Sequence, residues 1–191
     1  MKHTNKDYWD DRYGKRRMNS GSGSYGEEGE LKANEIIGFA HQDIESILDV
    51  GCGDLNIAQK IMPHFPKAKY LGLDVSEYII EKNKKMNLGD RWEFKMIDTF
   101  DFDHPSDLVI CSDVLFHIMD DNDYSSMLEA LKRNWKKYLF ISTYNHKGDK
   151  KVYSSYITAR EFDPLFFSDN YFVTPTSFGN KIETSHYKFI K

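Results

Sequence analysis

Residues 45–59 read ESILDVGCGDLNIAQ, a short apolar run that ends in an acid and breaks into a glycine-punctuated loop. Ile47, Leu48 and Val50 predict a buried strand. Gly51 and Gly53 can take backbone angles closed to residues with a Cβ, and they let a ligand approach the main chain. Residues 55–62 read as the first turns of a helix. Strand, glycine turn and helix start together make a nucleotide-type site, because the amides of the loop and of the helix start point at the ligand. The loop alone leaves the nucleotide open.

Upstream, residues 1–26 combine aromatics with charges and then pass into NSGSGSYG, whose Gly and Ser content cannot hold a regular element by itself. Tyr8, Trp9, Tyr13 and Tyr25 are too many large aromatics for an idle tail. The leader is expected to fold over a ligand, with Ser22 among its contacts. Leu31, Ile36, Ile37 and Ala40 then space as an amphipathic helix over residues 28–41.

Downstream, residues 69–75 (KYLGLDV) predict a second buried strand ending in an acid, and Ser76 an N-cap for a helix to about residue 86. Further strands are expected at 91–97, 107–112 and 138–142. Between the last two lies a helix over 123–135, with Tyr124, Met127, Leu128 and Leu131 on one face. A short helix over 158–166 and two late strands, 171–177 and 185–190 around a Gly-Asn turn, complete the chain. The expectation is an α/β fold, a Rossmann-like seven-stranded sheet, mostly parallel with a C-terminal antiparallel strand and helices on both faces.

With 191 residues, 40% of them hydrophobic, the chain can bury one sizeable core. A single domain over residues 1–191 is expected, with residues 1–30 as an N-terminal lid or arm. The net charge of −4 argues against a generic grip on nucleic acid, although Lys15, Arg16 and Arg17 form a local basic patch. Two cysteines, both in apolar runs, imply no disulfide framework. No run approaches a membrane span, and the N-terminus is charged rather than signal-like, so a cytoplasmic location is expected.

Three acids sit at or just past the ends of successive predicted strands: Asp49, Asp74 and Asp98. In an open α/β sheet such ends share one crevice, and an acid at Asp74 can accept both hydroxyls of a ribose. Here ILDVGCGD, LGLDVS, MID and DLVICSDVLFHI resemble, in order, the first four motifs of the class I S-adenosylmethionine-dependent methyltransferases. The resemblance implies S-adenosylmethionine as cofactor. Asp49, Gly51 and Gly53, with Cys52, would line its methionine part, Asp74 and Val75 the ribose, and Asp98 and Thr99 the adenine edge, with Ser112 nearby. It extends to a bacterial and phage-type subset with an SGxGS-containing leader, which suggests a small-molecule or glycan-like acceptor. Leu55 departs from the pattern, standing where a third glycine is common.

Methyl transfer from a sulfonium mainly requires donor and acceptor to be aligned, and a hydroxyl acceptor benefits from a base. Asp113 and His117, just after the fourth strand, are the catalytic candidates. Each also has a structural reading, His117 as a packed or capping residue and Asp113 as an N-cap. His117 with Asp120, Asp121 and Asp123 could bind a divalent ion, but DDND before a helix is also a cap, and no metal is assigned. Three alternatives remain open. A nicotinamide oxidoreductase would use the same loop, with Asn56 where its third glycine should be. A non-catalytic partner subunit would keep only the fold, and a nucleic-acid or nucleotide methyltransferase would grip through Trp9, Tyr13 and the basic patch.

Overall fold

The computed structural model describes residues 5–16, 19–144, 146–176 and 184–191. Seven strands form one mixed sheet, and two more pair separately. The chain divides into two compact units, Met1–Thr99 and Phe100–Lys191.

In the first unit a helical segment, α1 (Asn5–Asp10), continues into a wider turn over Asp11–Lys15, and a single tight turn over Ser22–Ser24 leads to α2 (Gly26–Phe39). The inner face of α2 carries Gly29, Lys32, Ala33 and Ile36, a spacing of three, four and seven. Lys32 is buried there and donates to the Gly23 carbonyl at 2.7 Å, which pins the Ser22–Ser24 turn to the helix. Next come β1 (Ser46–Val50), α3 (Asn56–Ile61), β2 (Lys69–Asp74), α4 (Glu77–Lys84) and β3 (Trp92–Met96). The three strands are parallel, with Val50 opposite Leu73 and Asp74 opposite Met96. Their C-terminal ends are therefore level, and Gly51, Val75 and Ile97 leave the sheet along one edge. The expected Ser76 cap is present, its hydroxyl accepting from the Ile79 amide at 3.3 Å.

The glycine turn is tight. Gly51 (φ 78°) and Gly53 (φ 51°) are left-handed, and so is Leu55 (φ 64°). The residue that replaces the third glycine thus adopts a glycine-like conformation, and it does so with its side chain only 1% exposed. Burial of an isobutyl group outweighs the cost of a left-handed non-glycine residue.

The second unit contains β4 (Ser106–Ser112), α5 (Asp121–Asn134), β5 (Trp135–Tyr144), β6 (Lys151–Ser154), β7 (Ile157–Ala159), β8 (Tyr171–Thr176) and β9 (Thr184–Ile190). The seven-stranded order is β3-β2-β1-β4-β5-β9-β8. β4 and β5 are parallel, while β9 runs antiparallel to both β5 and β8. The expected late antiparallel pair is therefore present; its Gly-Asn turn falls outside the described residues. The Asp120 carboxylate caps α5, accepting from the Asn122 and Asp123 amides at 2.8 and 3.2 Å. That is the capping reading of the DDND run.

One expectation fails. Residues 158–166 are not a helix: β6 and β7 form a hairpin over Lys151–Ala159, and a single turn occupies Pro164–Phe166. Val152, Tyr153, Tyr156, Ile157 and Thr158 favour extended backbone, and a helix cannot run smoothly through Asp163 into Pro164.

Leu55→Gly separates the two effects at the turn. Relief of left-handed strain is worth about 1 kcal/mol, while deletion of a buried leucine side chain costs about 3 kcal/mol. A net loss of about 2 kcal/mol is expected in urea unfolding. A variant as stable as the parent would mean that strain, not burial, governs this position.

Candidate functional site

The first unit builds its site around one carboxylate. The Gly51 and Cys52 amides both donate to the Leu73 carbonyl, at 2.7 and 3.0 Å, so the turn folds back over the end of β2. Asp74 Oδ2 accepts from the Gly53 amide at 3.0 Å and Oδ1 from the Ser76 amide at 2.9 Å. Asn83, on the inner face of α4, donates to the Gly53 carbonyl at 2.7 Å and closes the loop from the other side. Its Oδ1 is buried and has no hydrogen-bond partner among the described residues. The Ile97 amide donates to the Asp74 carbonyl at 3.0 Å, so Asp98 and Thr99 leave β3 beside Asp74.

Asp49 and Asp74 are both 6% exposed. Burial pushes the Asp49 carboxyl up to about 7, against the opposing bond from the Tyr70 hydroxyl at 2.6 Å and with some help from the Asp74 charge. Burial likewise raises Asp74 to about 6, although the Ser76 and Gly53 amides oppose it. Two desolvated acids around a glycine turn favour a ligand that brings positive charge or hydroxyl donors. Cys52 lies in the same turn, and burial together with both acids raises its thiol pKa well above the usual range.

The leader packs directly on this turn. The Ser20 amide donates to Asp54 Oδ2 at 3.0 Å, and the Asp54 amide donates back to Ser20 Oγ at 3.2 Å. The Tyr25 hydroxyl also donates to Asp54, and the Asn56 side chain to the Ser24 carbonyl. A Cβ on Gly53 would lie 2.3 Å from Ser20 Oγ and 3.0 Å from the Tyr13 hydroxyl, so the glycine is required by the leader itself. Tyr13 is buried and its hydroxyl is within 3.0 Å of Ser20 Oγ; burial, then the Asp74 charge, raises its pKa. Trp9 stacks on Tyr13 at 5.5 Å, and Tyr8 meets Trp9 edge-on. Asp10 accepts from Ser76 Oγ at 2.6 Å and from the Tyr78 amide at 3.2 Å, fastening α1 to the start of α4. Lys15 and Arg16 share one carboxylate, Asp11, which offsets part of the charge of the basic patch; Arg17 lies outside the described residues.

In the second unit, Ser112 ends β4 and its hydroxyl is buried with no hydrogen-bond partner among the described residues. Asp113 follows with φ 59°, held in that left-handed conformation by its amide on the Ser142 carbonyl at 2.9 Å and by Ser142 Oγ on its carboxylate at 2.6 Å. His117 ends a single turn over Leu115–His117, with Nδ1 2.7 Å from the Tyr156 carbonyl. Phe116 stacks on Tyr144 at 4.0 Å. Among the described residues no group of His, Cys, Asp and Glu is arranged to hold a metal ion.

Asp49, Gly51, Cys52, Gly53, Asp74, Val75, Asp98, Thr99, Tyr8, Trp9, Tyr13, Ser22 and Tyr25 all belong to the first unit, and Ser112, Asp113 and His117 to the second. Sequence reasoning passed over Asp54, Ser20 and Asn83. Asn83 had a signal: it follows Ile79 and Ile80 on the buried stripe of α4, where a polar residue needs a partner. Asp54 and Ser20 had none, because their pairing spans thirty-four residues.

Residues 47–137 match the family model described as a methyltransferase domain. No curated protein is detectably similar in sequence. Among solved structures the chain is similar to the N-methyltransferase NodS from Bradyrhizobium japonicum WM9 in complex with S-adenosylhomocysteine, with TM-score 0.73, 11% identity and 98% of each chain covered. It is similar to the 1,6-didemethyltoxoflavin-N1-methyltransferase of Burkholderia thailandensis, with TM-score 0.69 and 15% identity over 98% of this chain and 86% of that one. The magnesium protoporphyrin IX methyltransferase of Synechocystis PCC 6803, with bound S-adenosylhomocysteine, gives TM-score 0.67 and 16% identity over 97% and 98%. At such identities the likeness is one of fold. The matched stretch 47–137 contains the glycine turn, Asp74 and the end of β4, so this part of the chain matches a methyltransferase domain, and the fold is the Rossmann-like one of these methyltransferase structures.

Proposed function

We propose that this enzyme methylates a small-molecule or glycan-like acceptor at oxygen or nitrogen, with the donor held at the glycine turn of the first unit. The observation that carries the donor site is Asp74, a buried carboxylate braced by the Gly53 and Ser76 amides. Each of its oxygens has a second lone pair left for a ribose hydroxyl. The residues fit the group: Gly51, Cys52 and Gly53 leave the backbone approachable for its methionine part, Asp49 and Asp74 supply negative field for its cationic centres, and Val75, Asp98 and Thr99 border Asp74. When bound, S-adenosylmethionine supplies a methyl carbon activated by sulfonium, so the chain's task is alignment and removal of one acceptor proton. His117 takes that proton, and Asp113, held in a strained conformation by Ser142, orients the acceptor.

A small acceptor is supported by the arm. Lys15 and Arg16 share Asp11, which reduces the charge offered to phosphates. The fold relatives described above are named for small acceptors. Residues 1–30 serve as the lid: Tyr8, Trp9, Tyr13, Ser22 and Tyr25 form a cover latched at Asp54 and at Ser76.

Calorimetry should show saturable binding of S-adenosylmethionine, weakened at least tenfold, about 1.4 kcal/mol, by Asp74→Ala. A protein that binds neither it nor S-adenosylhomocysteine refutes the reading. Labelled-methyl transfer screened against sugars, nucleotides, small phenols and RNA then identifies the acceptor, and turnover on RNA alone would refute a small acceptor.

The raised acids predict a pH dependence. Both carboxyls are protonated at higher pH in the empty site than in water, and a cationic, hydroxyl-donating ligand favours their ionised forms. Binding therefore releases protons, and affinity should fall as pH drops through about 7 and then about 6. Asp49→Asn should flatten the upper part of the curve, and a profile flat from about pH 5.5 to 8 would contradict the assignment.

Loosening the latch should speed exchange. Tyr25→Phe combined with Ser20→Ala is expected to raise the S-adenosylhomocysteine dissociation rate several-fold in stopped flow, with the unfolding midpoint nearly unchanged. An unchanged rate would remove the lid role.

A further inference from the structure

We infer that the β6–β7 hairpin, anchored by Arg160, is a positioning element that fixes the tautomer of His117, placing the proton on Nδ1 and the lone pair on Nε2. The inference rests on the reading above in which His117 accepts the acceptor's proton, and it names the groups that make it competent to do so.

Nδ1 of His117 lies 2.7 Å from the Tyr156 carbonyl oxygen. A carbonyl can only accept, so Nδ1 is the nitrogen that carries hydrogen. A neutral imidazole has a single N–H, and the basic lone pair is then on Nε2. A histidine without such a bond populates both tautomers, and only one of them can take a proton at a given atom. The ring is also held from its sides. The Tyr156 ring stacks against it at 22° with centroids 6.1 Å apart, and the Phe116 ring meets it at 4.5 Å.

Tyr156 lies in the turn between β6 and β7, and both ends of that hairpin are fastened to the segment just after His117. Arg160 immediately follows β7. Its Nη1 donates to the Ile118 carbonyl at 2.7 Å, its Nη2 to the Met119 carbonyl at 3.0 Å, and its Nε and Nη2 to Asp121 Oδ1 at 3.0 and 2.7 Å. The guanidinium also lies over the Tyr124 ring at 4.5 Å, and its side chain is only 10% exposed. Lys150 immediately precedes β6 and donates to the same Asp121 oxygen at 2.6 Å. The Thr158 hydroxyl meets Met119 Sδ at 3.2 Å. Residues 118–121 therefore hold the hairpin at its base, and the hairpin tip returns a carbonyl to His117. A planar fork with several donors suits this task, and a lysine at 160 could not make the set.

In the transfer step the acceptor heteroatom forms a bond to the methyl carbon as the carbon–sulfur bond breaks. The proton of the acceptor passes to Nε2. The resulting imidazolium keeps its Nδ1–H bond to Tyr156, now strengthened by the charge. An orienting partner of this kind matters because the opposite tautomer presents a hydrogen where a lone pair is needed.

The test is the protein labelled with 15N-histidine, with the His117 signals assigned by their loss in His117→Gln. Long-range 1H–15N correlation at a pH where His117 is neutral should show nearly complete Nδ1–H tautomer in the parent enzyme. Arg160→Ala should shift it to a mixture, and kcat should fall several-fold with the KM for S-adenosylmethionine little changed. Lys150→Ala, which removes the contacts to Asp121 and the Met119 carbonyl but leaves those of Arg160, should give a smaller shift in the same direction. The parent measurement needs no variant to fold, and a His117 that carries its proton on Nε2 overturns the inference whatever the activity. A His117→Gln enzyme with undiminished turnover overturns the base role instead, and with it the catalytic purpose of the hairpin.

Discussion

The first unit depends on a carboxylate that is almost entirely out of water. Asp74 is the only side chain described that bonds both the glycine turn and the start of α4, through one oxygen each. Burial alone would make that acid costly, and two backbone amides offset part of the cost while fixing two loops in space. The turn must then be glycine at position 53 for two reasons at once. Its φ is left-handed, and the leader presses Ser20 against the place where a Cβ would stand. Anything that moves Asp74 therefore moves the turn, the α4 cap and, through Ser76 and Asp10, the leader.

Most of this was legible because the strands of the first unit are local and periodic. β1 and β2 announce themselves as apolar runs that end in an acid, and Ser76 is a capping residue in the expected place. The residues proposed for the donor lie in the same motifs. The second unit was less legible. A short helix is expected over residues 158–166, where the end of β7 and a single turn stand instead, since a stretch such as VYSSYITAREF has no clean period and its placement depends on contacts with residues about forty positions earlier. Arg160 and Asp54 act only through such distant pairs, and no spacing rule points to them. Leu55 marks the opposite case. It looked like a departure from a glycine motif, and the backbone there is glycine-like all the same, because its side chain is enclosed.

The second unit shows the same economy with hydrogen bonds. Asn134 ends α5 with β5 following directly, and its amide nitrogen donates to the Ala130 and Phe102 carbonyls at 2.7 and 2.9 Å while its oxygen accepts from the His104 amide. One fully buried asparagine thus stops the helix and ties it to the segment before β4, so no connecting loop is needed. Asp113 is another such economy: Ser142, on the neighbouring strand, meets both its amide and its carboxylate, and the left-handed backbone is held by these two bonds.

Cys52 adds a chemical consequence. A thiolate is a strong nucleophile toward an alkylating sulfonium, and this thiol sits in the turn assigned to the donor. Burial and the charges of Asp74 and Asp49 keep it in the un-ionised form. Under the proposed assignment, burial together with the acids that would draw a cation into the turn keeps the sulfur beside it un-ionised, which would guard the chain against alkylation by its own reagent.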